Sequence, residues 1–366
     1  MRSDVALPTA RAELIAQWLD RFAPKARFRA VTVEDQGQLV AAIPLVGRRI
    51  HRLLNVGSMP CNDWSPGGEL LIDSSADVVT ATDVLVRGIT AQHWPLLWWE
   101  CVNPELRAWQ WLLHAFERVG LRCHWGERYR VGRINSTDSW EEHQQRWSKN
   151  HRRNMRRTLS ELEALGLRCR SYTELRADQV DEVLHQGFAV EDRSWKGRAG
   201  SSTLQTDGMY QFYLGQARQA ADWGQLCLSF LECAGTTIAF EYGWLAKGTY
   251  FSFKVGCDPE LARHSPGQVL MHELLKWMHH DPAVQATDCL GPMFDAVSRR
   301  VPDTYPIGRL VVANRGITGS LLMNGCRQWS TPCSSFLVPL PTSRRSWFSP
   351  VDCQHERLRT AAGRGF

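Results

Sequence analysis

The stretch HSPGQVLMHELLKWM, residues 264–278, carries the clearest chemistry in the chain. Ser265 suits a helix N-cap, Pro266 suits the first helical position, and Gln268 stands three residues after Ser265, the spacing of a capping box. Leu270, Met271, Leu274 and Met278 recur at helical spacing and predict one buried face. Gly267 lacks a Cβ, so a phosphate can approach the N–H groups of this helix start, where the dipole also favours negative charge. A plainly capped core helix accounts for the same residues. Upstream, TYFSFKV (249–255) reads as a strand broken by Gly256. Downstream, VQATDCL (284–290) reads as a second, giving a right-handed βαβ unit. Glu241 lies mid-strand in TIAFEYGW, on the opposite face from Phe240 and Tyr242. A carboxylate among apolar neighbours has a raised pKa, which suits a general base. A strand glutamate facing solvent or paired with an arginine is the alternative. Asp288 ends the following strand, either to orient an amine or to cap the next turn. Lys254 either meets a phosphate or is the outward residue of an edge strand.

Other chemistries fit less well. MHELLKWMHHD holds His272, Glu273, His279 and His280 but is not HExxH. His272 and His279 share a face two turns apart, so no metal site is expected. Neither GxSxG nor GxxxxGK[ST] occurs. Cys257 lies nearest the loop, with no histidine placed by the sequence to activate it. The eleven cysteines are scattered and none forms CxxC, as for reduced thiols in a cytoplasm.

The chain of 366 residues is long enough for two domains, and 43% hydrophobic content supports a sizeable core. A net charge of +5 fits anionic ligands without demanding nucleic acid, and DNA is not an expected partner. The N-terminus shows no apolar signal region, and no apolar run of about 18 residues predicts a membrane span. Sixteen tryptophans, several near residues 94–111, read as core. Helices are expected at 11–22, 74–92, 104–119, 147–166, 180–190 and 206–223. Strands are expected at 28–33, 38–45, 53–57, 95–100, 121–134, 167–172 and 309–313, with a meander over 226–232, 236–245 and 249–255. In WSKNHRRNMRRTLSELEALG, Met155, Leu159, Leu162 and Leu165 form one helical face. Lys149, Arg152, Arg153, Arg156 and Arg157 form the opposite face, either solvated or a dock for an anion. Residues 341–366 read as a poorly ordered tail.

The element order over 167–313 resembles the GNAT acyltransferase fold. AAIPLVGRR with NVGSMPCNDW, then SKNHRRNMRRTLSELEALG, then EDRSWKGRAGSS, then KVGCDPELARHSPGQVLMHELL with ATDCLGPM, resemble the two-domain branch related to the Fem peptidyltransferases. This branch is often described as cellulose-biosynthesis-type or GNAT-like acetyltransferases. The likeness covers about residues 15–315. It implies an α+β fold of tandem GNAT-like domains, each a mixed, mainly antiparallel sheet flanked by helices. Expected boundaries are 1–145, a connecting helix 146–166, 167–315 and a tail 316–366. The resemblance implies an N-acyltransferase moving an acyl group, acetyl in the first instance, from acyl-CoA to an amine on a small molecule or polysaccharide precursor. Lys254, Val255, Ser265, Pro266, Gly267, Gln268 and Val269 are expected to hold coenzyme A. Glu241 and Asp288 are the expected catalytic carboxylates, and Glu191, Asp192, Trp195 and Lys196 resemble the acceptor-side loop. Trp195 packs either over the acceptor or under its own loop. GPMFDAVSRRVPD replaces the lysine and aromatic that usually follow the Asp-x-x-Gly element. Fem relatives imply an alternative aminoacyl-tRNA donor, and a binding protein with a vestigial cleft is the non-enzymatic alternative.

Overall fold

Strand alternation and tight turns build the first half of the chain. The computed structural model describes residues 3–50, 54–314, 319, 321 and 322. Helix α1 (Ala12–Phe22) buries Leu14, Ile15 and Trp18. Strands β1 (Phe28–Asp35) and β2 (Gln38–Ile50) form a hairpin. Its turn residues Gln36 and Gly37 have φ of 48° and 76°, as a twisted two-residue hairpin turn requires. Then come β3 (Leu54–Ser58), β4 (Leu71–Ile72), α2 (Val78–Thr90), β5 (Leu96–Val102), α3 (Arg107–Arg118) and β6 (Cys123–Asn135). Asp77 starts α2 by accepting the N–H groups of Val79 and Thr80.

Next follow α4 (Trp140–Gln145), α5 (Lys149–Glu163), β7 (Arg168–Tyr172), α6 (Val180–Arg193), α7 (Trp195–Arg198) and α8 (Met209–Asp222). The meander β8 (Leu226–Cys233), β9 (Thr236–Ala246) and β10 (Thr249–Cys257) precedes α9 (Pro266–His280), β11 (Ala286–Asp288), α10 (Asp295–Ser298) and β12 (Asp303–Ala313).

Contacts divide the described residues into two units, 3–130 with 305–314, and 131–304. In the first, β1, β2 and β3 are antiparallel neighbours, and β3 meets β5 in parallel at Gly57 and Leu97. Strand β12 then pairs antiparallel with β5, Val311 opposite Trp98. This long-range pairing is why a strand from the end of the sequence belongs to the first unit, rather than to a domain running to residue 315. The core holds Trp94, Trp99, Trp109 and Phe116 between the sheet and α2 and α3. In the second unit the order is β6, β11, β10, β9, β8, β7, where β6 contributes residues 133–135. All neighbours are antiparallel except β10 and β11, which run parallel on either side of the α9 crossover. Each unit is therefore a mixed, mainly antiparallel sheet with flanking helices, as expected.

Several local readings change. Ser148, not Trp147, starts α5, its side chain accepting from His151 N–H. A separate helix α4 precedes it, capped reciprocally by Ser139 and Glu142. Met155 and Leu162 are buried as expected, but Leu165 lies beyond the helix and is exposed. Arg152 leaves the basic face: its guanidinium donates to the Gln144 and Gln145 carbonyls at the end of α4. The polar segment after Glu191 is partly helical, as the end of α6 and α7. The expected tail, 316–366, falls almost wholly outside the described residues.

Candidate active site

The second unit's sheet has two faces, and its register sorts the predicted site residues between them. Strand β9 points Phe240 and Tyr242 toward α6 and α8: Phe240 meets Phe188 of α6, and Tyr242 meets Tyr213 of α8. Glu241, between them, points the other way, into a tight space lined by Tyr250, Met271, Leu274, Leu275, Met278 and Thr287. Only 3% of Glu241 is exposed, and Tyr250 donates its O–H to Glu241 Oε1 at 2.8 Å. Burial raises the Glu241 pKa, partly offset by hydrogen bonds from Ser252 and Tyr250. Glu241 is thus neither solvent-facing nor in direct ion pair with an arginine.

Asp288 lies on the other face. Register sets Tyr250 beside Thr287 and Phe251 beside Asp288. Thr287 shares the Glu241 space, so alternation turns Asp288 toward the α6–α8 side. The two expected catalytic carboxylates are not brought together. Asp288 accepts the Leu290 N–H at 2.9 Å, and Leu290 has φ of 52°, so this carboxylate does cap the turn after β11.

A bulge in β10 decides where Lys254 goes. The pairing with β9 shifts register between Ser252 and Lys254, and Lys254 then stands opposite Tyr242. Lys254 therefore faces α6 and α8 and is buried, rather than facing outward. Its Nζ lies 5.1 Å from the Tyr213 ring and 5.2 Å from the Phe253 ring. On the same face Glu191 is buried at the end of α6. Its Oε1 meets Lys196 Nζ at 2.6 Å and its Oε2 accepts Thr203 N–H at 3.0 Å. Burial opposes its charge, but Lys196 and Lys254 together hold the Glu191 pKa below the ordinary value. Gly256 lets β10 approach this point, since a Cβ there would lie 2.8 Å from the Glu191 backbone. Asp192 serves its own loop, accepting from Ser202 Oγ and, at 2.8 Å, from Gln205 Nε2. Trp195 is half-buried at the start of α7.

Beyond Phe251 the sheet opens. Strand β10 pairs with β11 only over Thr249–Phe251, but with β9 as far as Cys257. The two strands therefore part after Phe251 and Asp288, and the chain continues from β10 toward α9. The helix start differs from the expected capping box. Ser265 occupies the cap position with φ of 48° and makes no side-chain cap bond. Gln268 instead accepts from Arg300: Nη1 meets its side-chain oxygen at 2.6 Å and Nη2 its carbonyl at 2.8 Å. The N–H groups of Gln268 and Val269 turn to the Ser265 carbonyl, at 2.8 and 3.3 Å. The missing Cβ of Gly267 is needed for packing, because it would lie 2.6 Å from Cys257 Sγ.

Sequence reasoning missed Tyr250, Tyr213 and Arg300. Arg300 is fully buried, and burial lowers its pKa to about 10. It lies within GPMFDAVSRRVPD, the segment that departs from the family pattern; no spacing rule marks it. His272 and His279 both pack on Trp140, in an aromatic cluster with His143, His151 and Trp147. Among the described residues no group of three or more His, Cys, Asp or Glu could hold a metal. No described helix is long and apolar enough to cross a membrane.

Residues 149–295 match the family described as Acetyltransferase (GNAT) domain. No curated protein matches the chain in sequence. Among solved structures the chain is similar to FemX, at 10% identity over 88% of this chain and 95% of that one, with a TM-score of 0.59. It is similar to L-PGS from Bacillus licheniformis, at 12% identity over 86% and 96%, with a TM-score of 0.50. It is also similar to the C-terminal domain of a putative lysylphosphatidylglycerol synthetase from Agrobacterium fabrum, at 11% identity over 87% and 98%, with a TM-score of 0.50. At such identities these likenesses speak to fold. Residues 149–295 thus match an acetyltransferase (GNAT) domain, and the chain as a whole has a fold similar to that of FemX.

Proposed function

We propose that the chain moves an acyl group, acetyl in the simplest case, from acyl-coenzyme A to an amine. Support comes from the place where β10 and β11 part: their pairing ends at Phe251 and Asp288, while β10 continues beside β9 to Cys257 and leads to the first turn of α9. In this reading the donor's amides lie along β10 at Ser252, Lys254 and Val255, beyond the point where β11 pairing ends. The pyrophosphate meets the start of α9 at residues 265–269, with Gly267 as the first-turn donor. Ser265, Pro266, Gln268 and Val269 shape that turn, and Arg300 fixes it through Gln268.

The acceptor amine must be neutral to attack. Asp288, the last residue paired before the strands part, is the group we assign to orient it and accept its proton. The nitrogen bonds to the thioester carbon, and a backbone N–H of β10 stabilises the oxyanion. The carbon–sulfur bond then breaks, and the thiolate takes up the proton that the amine lost. Glu241 supports the reaction from behind the strand by holding Tyr250 and Ser252. Glu191 and Lys196 fix the loop that presents Trp195 to the acceptor, and Asp192 ties that loop down. The acceptor is a small-molecule or polysaccharide-precursor amine, and the setting is the cytoplasm.

A second donor, aminoacyl-tRNA, is favoured by one observation. Lys149, Arg153, Arg156 and Arg157 remain exposed on α5. Thermal unfolding with acetyl-CoA, coenzyme A and bulk tRNA at two salt concentrations separates the readings. A ligand at a hundred times its Kd stabilises by about 2.7 kcal/mol. A coenzyme A shift that survives salt, with thiol release when amines are added and its loss in Asp288→Asn, is the expected result. A salt-sensitive shift with tRNA alone would replace acyl-CoA with the second donor.

A further inference from the structure

The first unit contains a pair of thiols that the proposed reaction does not use. Cys61 lies in the loop after β3 and Cys101 in β5, and their sulfurs are 3.3 Å apart. Cys61 is buried and donates its S–H to Cys101 Sγ. Cys101 is only half-buried, and the Tyr129 hydroxyl lies 4.0 Å from its sulfur. Its backbone has φ of 60°, a left-handed conformation that a non-glycine strand residue rarely adopts. Next to it in the chain, Glu100 accepts from Arg128 at 2.6 Å and from Arg309 at 3.0 Å, and its Oε1 also accepts from Trp98 Nε1. The two sulfurs need approach by only about 1.2 Å to reach disulfide bonding distance.

We infer that Cys61 and Cys101 are a redox-active dithiol, a reversible modification site that joins the β3–β4 loop to β5. Cys101 is the attacking sulfur, being the more accessible and the acceptor of the thiol hydrogen bond. The donated bond from Cys61 holds the Cys101 pKa below the ordinary thiol value, with Arg128 also favouring the thiolate. The Cys101 thiolate attacks a small-molecule disulfide such as oxidised glutathione, forming a mixed disulfide and expelling one glutathione thiolate. Cys61 then gives its proton to solvent and attacks the Cys101 sulfur, expelling the second glutathione. The protein loses two hydrogens, and the oxidant gains them. A reduced dithiol reverses both steps.

The test uses the full-length protein, equilibrated across ratios of reduced to oxidised glutathione, quenched with an alkylating agent and mapped by peptide mass. The expected result is one Cys61–Cys101 cross-linked peptide that appears and disappears reversibly, while the other cysteines stay alkylatable. In Cys61→Ser, glutathione should remain on Cys101, trapping the intermediate. Both thiols staying alkylatable at every ratio would overturn the inference. So would glutathione remaining on Cys101 in the wild type with no cross-link, because Cys61 would then not resolve it.

Discussion

Replacing Lys196 by Met tests the buried charge network that shapes the loop after α6. The Glu191 side chain is 4% exposed and the Lys196 side chain 13%. The substitution removes the 2.6 Å partner of Oε1 but leaves the Thr203 N–H on Oε2 and Lys254 nearby. Stranding one partner of a buried ion pair costs about 3–5 kcal/mol. The remaining amide and lysine put this case at the low end, about 3 kcal/mol at neutral pH. The sign with pH follows from the depressed Glu191 pKa. Its stabilisation is fully present above the unfolded carboxyl value of about 4.3 and is lost as pH falls through the folded value. The deficit of the variant should therefore shrink in the acid range. Urea unfolding at neutral and acid pH measures it, and hydrogen exchange over residues 188–203 locates it. In a Glu191→Gln background the same substitution should cost less than about 1 kcal/mol, since no charge is stranded. A neutral-pH deficit under about 0.5 kcal/mol, or the same deficit with Gln at 191, would refute the reasoning.

Other outcomes follow from the same geometry. Tyr250→Phe removes the 2.8 Å donor to Glu241 and should destabilise by about 1–3 kcal/mol, read by urea unfolding. Gly187→Ala puts a Cβ 2.2 Å from the Phe240 ring, so it should lower stability by about 1–3 kcal/mol; an unchanged unfolding midpoint would contradict that packing. Burial lowers the pKa of His143 to about 4 and of His272 to about 3. Both are neutral when folded but charge when unfolded, so stability should fall below about pH 6.5, by up to about 1.4 kcal/mol per pH unit for each. His143→Phe should flatten that fall in a pH series of unfolding curves.

Local chemistry made much of the fold legible. Alternation in TIAFEYGW put Glu241 opposite Phe240 and Tyr242, and Pro266 marked the start of α9. The turns AG and KG carry φ of 49° and 78°, and 49° and 73°, as their sequences suggest. The serine–glutamate spacing at Ser139 and Glu142 was an available signal for α4, hidden beside the charge run of α5. What sequence could not supply was register. The β10 bulge turns Lys254 inward, and the three-residue β10–β11 pairing sets Asp288 on the face opposite Glu241. Long-range contact was equally silent: β12 joins β5, and Gly267 packs on Cys257 rather than simply leaving room for a ligand. The candidate loop was legible as residue types, but Glu191 and Lys196 became a pair only once α6 and α7 were folded.

The most direct test of the acyl-CoA account is amide hydrogen exchange on the full chain with and without acetyl-CoA. The account predicts slowed exchange concentrated at residues 252–257 and 267–269, the part of β10 beyond its β11 pairing and the first turn of α9. No protection there at saturating acetyl-CoA, or protection by tRNA on α5 alone, would contradict it.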